Sequence, residues 1–68
     1  MKLYFCDSNN QERIIAEVSN DVEAMQQINK FLDEHNYKSY YTRIWVEPNG
    51  DKWFDVGSHT EFFILKDN

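Results

Sequence analysis

Short alternating apolar runs open and close the chain, and a helical period interrupts them. Lys2 to Cys6 and Arg13 to Val18 are β-rich runs separated by Asp7-Ser8-Asn9-Asn10-Gln11-Glu12, a polar stretch of turn formers, so the chain is expected to begin with a hairpin. From Asp21 the period changes. Val22, Ala24, Met25, Ile28, Phe31 and Leu32 fall within one half of a helical wheel, and Glu23, Gln26, Gln27, Lys30, Asp33 and Glu34 occupy the other. Asn20 is placed to cap this amphipathic helix, Glu23 three residues on completes a capping-box pattern, and Asp21 complements the positive end of the dipole. The helix should end near Asn36, because Asn tolerates the left-handed C′ position.

The segment from Tyr40 to Val56 specifies a second hairpin. Pro48 presets the first central position of a type I turn, Asn49 suits the second, and Gly50 can take the left-handed conformation that closes a three-residue loop with a bulge. Closure at Glu47 and Asp51 predicts Val46 opposite Lys52, Trp45 opposite Trp53, Ile44 opposite Phe54, Arg43 opposite Asp55 and Thr42 opposite Val56. One face then carries Thr42, Ile44, Val46, Phe54 and Val56. The other carries Tyr41, Arg43, Trp45, Trp53 and Asp55, a Trp pair beside a cross-strand ion pair. After a turn at Gly57-Ser58-His59-Thr60, Glu61 to Lys66 reads as a last strand with apolar residues on both faces.

The expected architecture is a single α+β domain over residues 1–68, a two-layer ββαβββ unit with one amphipathic helix on an antiparallel sheet. One helix covers one sheet face, and its stripe should pack on Ile44, Val46, Phe54 and Val56. The opposite face keeps its aromatic side chains.

Composition narrows the function classes. Sixty-eight residues leave little room for a deep cleft, while 41% hydrophobic and 16% aromatic content argue against disorder. The lone Cys6 forms no internal disulfide, and without signal-like or membrane-spanning apolar runs the expected setting is cytoplasmic, with no membrane partner. A formal charge of −5, with its few cations scattered, disfavours direct nucleic-acid binding.

Candidate chemistry is sparse. His35, His59 and Cys6 lack metal-ligand spacing, and Asp55, His59 and Glu61, the nearest approach to an acid/base cluster, have no evident pocket. No nucleophile elbow or phosphate-cradling Gly-rich loop is present, so neither enzyme activity nor a cofactor or metal is expected. Cross-strand aromatic pairs stabilise sheets by roughly 0.2–1 kcal/mol without any binding role. Against that bland reading, Tyr41, Trp45 and Trp53 with Arg43 and Asp55 bring together the residue types that dominate interface hot spots. A second candidate is the acidic helix face of Asp21, Glu23, Asp33 and Glu34, which could imitate nucleic-acid phosphates towards a DNA- or RNA-binding protein. A third is a small nucleotide-binding module that uses the aromatics as a stacking platform.

The segments Tyr40-Tyr41-Thr42-Arg43-Ile44-Trp45 and Trp53-Phe54-Asp55-Val56-Gly57-Ser58-His59-Thr60-Glu61-Phe62-Phe63 resemble the closing part of small uncharacterised proteins encoded by phages and prophages of Gram-positive bacteria. The resemblance covers roughly the last third to half of the chain and brings no catalytic motif, so no functional residue is carried over. It implies provenance rather than activity, and with it an accessory protein that binds a host protein stoichiometrically, an antiviral-defence component among the candidates. Taken with the aromatic face, the expected function is a non-enzymatic protein that binds a host protein, or itself as a homodimer, through that face.

Overall fold

The computed structural model describes residues 1–37, 42–57 and 60–67. Its elements run β1 (Lys2–Cys6), β2 (Glu12–Glu17), α1 (Asp21–Glu34), β3 (Arg43–Val46), β4 (Lys52–Asp55) and β5 (Phe62–Lys66), the expected ββαβββ order. The strands form one sheet in the order β2-β1-β5-β4-β3, with every neighbouring pair antiparallel. The last strand thus inserts between the two hairpins. Its central place explains the unbroken run Phe62-Phe63-Ile64-Leu65, since both faces of a middle strand are shielded from water.

Helix α1 begins as its sequence dictates. Glu23 N donates to Asn20 Oδ1 at 2.9 Å, and the Glu23 carboxylate accepts in return from Ser19 N at 2.8 Å, one residue before the cap. At the other end Tyr37 N donates to Leu32 O at 2.9 Å and Asn36 N to Asp33 O at 3.3 Å, with Asn36 at φ 56°. These two bonds make a Schellman closure with Asn36 at C′. Ala24, Ile28, Phe31 and Leu32 are buried against Leu3 and Phe5 of β1, Phe54 of β4, and Phe63 and Leu65 of β5, with Val18 and Val56 completing the core. Phe31 is central, its ring 4.7 Å from Phe5 and 5.4 Å from Phe63.

Two packing expectations are corrected. Phe54 and Val56 lie under the helix, but Ile44 and Val46 on the same face are 52% and 61% exposed. The helix sits over β1, β5 and β4, and the edge strand β3 extends past it. Val22 is also exposed, because it lies roughly 120° around the helix from Ile28, at the margin of the apolar half. Strand boundaries differ by a residue: β2 runs Glu12–Glu17, leaving Val18 buried beyond its end, and β5 begins at Phe62. The β3–β4 ladder stops at the Arg43/Asp55 pair, short of Thr42 and Val56.

Candidate binding face

The second hairpin has the register its loop predicts: Arg43 opposite Asp55, Ile44 opposite Phe54, Trp45 opposite Trp53 and Val46 opposite Lys52. Glu47 N donates to Asp51 O and Gly50 N to Glu47 O, both at 2.8 Å, and Gly50 takes φ 93°. That register sends Trp45 and Trp53 to the face away from the helix. Their rings stand 6.0 Å apart at an interplanar angle of 22°.

Strand order extends this pair into an apolar row. Trp53 pairs with Ile64 of β5, Ile64 with Tyr4 of β1, and Tyr4 with Ile14 of β2, so Trp45, Trp53, Ile64, Tyr4 and Ile14 line up across all five strands on the uncovered face. Phe62 lies alongside, 5.5 Å from the Trp53 ring and 6.1 Å edge-on from Trp45. Ile64, flanked in register by Trp53 and Tyr4, is only 1% exposed, although no helix covers it. The rings shield the middle of the face and are themselves half-buried. Sequence reasoning found the Trp pair but missed Tyr4, Phe62, Ile64 and Ile14. Their alternation was visible; that β5 would join the two hairpins was not.

Ionic contacts frame the row. Arg43 reaches Asp55 at 3.1 Å, and Asp55, buried, also accepts from Gly57 N at 2.8 Å. Asp55 therefore secures the end of β4, while the Arg43 side chain remains largely exposed. Lys66 Nζ lies 5.0 Å above the Tyr4 ring and 2.9 Å from Glu12 Oε1. The hydrogen bond to Glu12 holds the Lys66 ammonium above its ordinary pKa. Burial, with Glu12 and Asp7 nearby, pushes the Cys6 thiol up, away from the thiolate that reactive cysteines need. Tyr41, expected beside the Trp pair, lies outside the described residues, as does His59.

The other candidates are not brought together as a site. Asp21 pairs with Lys52 of β4, Glu23 is held by the helix start, and Asp33 and Glu34 stand at the far end of the helix. His35 caps the helix with its ring stacked on Phe31 at 4.1 Å and Nδ1 2.9 Å from Phe31 O. Among the described residues, one open depression of about 340 Å³ lies at Asn49, Gly50, Asp51 and Asp67, and another of about 120 Å³ at Ile15, Gln27, Lys30, Phe31 and Glu34. Neither includes the aromatic row. Among the described residues no helix is long and apolar enough to cross a membrane. No family model, curated protein or solved structure matches the chain.

Proposed function

We propose that this chain is a non-enzymatic binding protein whose outer sheet face docks against a protein partner. The observation that carries the reading is the row Trp45, Trp53, Ile64, Tyr4 and Ile14, with Phe62 beside it, on a face the helix leaves uncovered. A flat array of aromatic rings buries apolar area with little loss of side-chain freedom, the property that makes Trp and Tyr interface anchors. Glu12, Glu17, Glu47 and Asp51 outnumber Lys2, Lys66 and Arg43 on the same side, so the fitting partner has an apolar centre and a basic rim. The same acidic rim works against a nucleotide phosphate.

The phage and prophage resemblance supports a host protein as that partner, met in the host cytoplasm, with an antiviral-defence component among the candidates. Acidic mimicry by the helix has less support, because Asp21 and Glu23 already serve the fold through Lys52 and Ser19. The test is capture of host protein by the immobilised chain, by its Trp45→Ser/Trp53→Ser variant and by its Asp33→Lys/Glu34→Lys variant. The face reading expects specific capture to be lost with the Trp changes and kept with the charge changes, while all three chains stay folded by circular dichroism. Loss with the charge changes alone would transfer the function to the helix.

A further inference from the structure

The two edges of the sheet are unlike each other. Edge strand β2 is protected: its pairing with β1 shifts register between Leu3 and Tyr4, and it carries Glu12, Arg13 and Glu17. Bulges and charges are the devices that keep strand edges from pairing with other chains. Edge strand β3 has no bulge, no proline and no lysine, and it leaves Ile44 and Val46 largely exposed. Its exposed apolar side chains stand next to a backbone edge that pairs with no other strand among the described residues.

The hydrogen-bonding direction of that edge follows from the hairpin. Glu47 N donates to Asp51 O, just before β4. Antiparallel alternation then turns Trp45 and Arg43 inward to β4 as well, and turns the N–H and C=O of Ile44 and Val46 outward. We infer that β3 pairs antiparallel with β3 of a second copy of this chain about a two-fold axis at Trp45, joining two five-stranded sheets into one.

Three independent features agree on this register. The outward-facing backbone groups of Ile44 meet those of Val46 in the second copy, making two hydrogen-bonded pairs, and Trp45 meets its symmetry mate as a non-hydrogen-bonded pair with closer side chains. Arg43 comes opposite Glu47 of the second copy on the outer face, twice by symmetry, so charges of opposite sign face each other where like charges would repel. The exposed Ile44 and Val46 of each copy meet the same residues of the other on the helix side, and the two-fold axis places both helices on that side. Displacing the pairing by two residues would lose the Arg43–Glu47 match.

The inference concerns the strand edge and does not need a partner on the outer face. Joined edges do have a consequence there: the aromatic row of one copy runs into that of the next through Trp45.

Sedimentation velocity of the full chain over about a hundredfold dilution, with hydrogen exchange at the two ends of that range, tests it. The expected result is a concentration-dependent rise from 8.2 kDa to twice that mass, with exchange at the Ile44 and Val46 amides slowing as the dimer forms and the Trp45 amide unaffected. Val46→Lys, which puts a lysine on the exposed edge, should weaken association at least about tenfold while leaving the thermal midpoint of the dilute monomer unchanged. Trp53→Ser, set back from the edge, should leave the dimer in place. A monomer at every concentration overturns the inference, as do Ile44 and Val46 amides whose exchange ignores concentration. Dimers that survive Val46→Lys and vanish with Trp53→Ser would move self-association to the outer face and overturn it too.

Discussion

Asp55 and Lys66 show how single charged residues anchor an otherwise apolar sheet. Asp55 is 3% exposed, and its carboxylate accepts from Arg43 at 3.1 Å and from Gly57 N at 2.8 Å, which secures the end of β4. Lys66 spans Tyr4 and Glu12 and ties the central strand to the edge strand β2. Its ammonium is held above the ordinary lysine value of 10.5 chiefly by the Glu12 hydrogen bond. A group whose folded pKa is raised contributes stability in full below its unfolded pKa and loses it as pH climbs through the folded value. Stability should therefore fall as pH rises above 10.5 in part through Lys66, and Lys66→Met should lose that contribution at neutral pH and so flatten the alkaline decline. Thermal midpoints of both chains from neutral to strongly alkaline pH check this. Equal slopes would mean that the pair does not contribute.

Among the elements, the second hairpin is the one whose sequence determines most. Pro48, Asn49 and Gly50 set a three-residue loop, and from that loop came the Trp45/Trp53 and Arg43/Asp55 pairings. Gly50 has open space where a Cβ would sit, so any cost of a side chain there comes from its φ of 93°. Gly50→Val should cost about 1–2 kcal/mol in urea unfolding, and an unchanged midpoint would show that the loop tolerates another conformation. Helix α1 was legible at both caps, because Asn20, Glu23 and Asn36 act through bonds only a few residues away. Its packed face was less so. A helical wheel puts Val22 at one margin of the same apolar half as Ile28, but only the position of the sheet decides which margin of the stripe is covered. Ile28→Ala should cost about 2–5 kcal/mol, and Val22→Ser should stay within roughly 0.5 kcal/mol of the parent. Equal costs would place Val22 in the core after all.

The whole molecule adds what no local pattern contains, the strand order β2-β1-β5-β4-β3. Each strand announced its own two faces, but joining both hairpins through β5 is a long-range choice, and it turns a Trp pair into a five-strand apolar row. The same choice leaves β3 beyond the helix, which is why Ile44 and Val46 were expected in the core and lie outside it. A sheet with one helix has one free face, and here that face holds both tryptophans of the chain. Tryptophan probes therefore report on the proposed site and nowhere else. With 5-fluorotryptophan at Trp45 and Trp53, the fluorine NMR spectrum of the chain should show both resonances shifting or broadening as a captured host protein is titrated in, because docking replaces water at both rings. Saturable binding that leaves both resonances where they were would contradict the account.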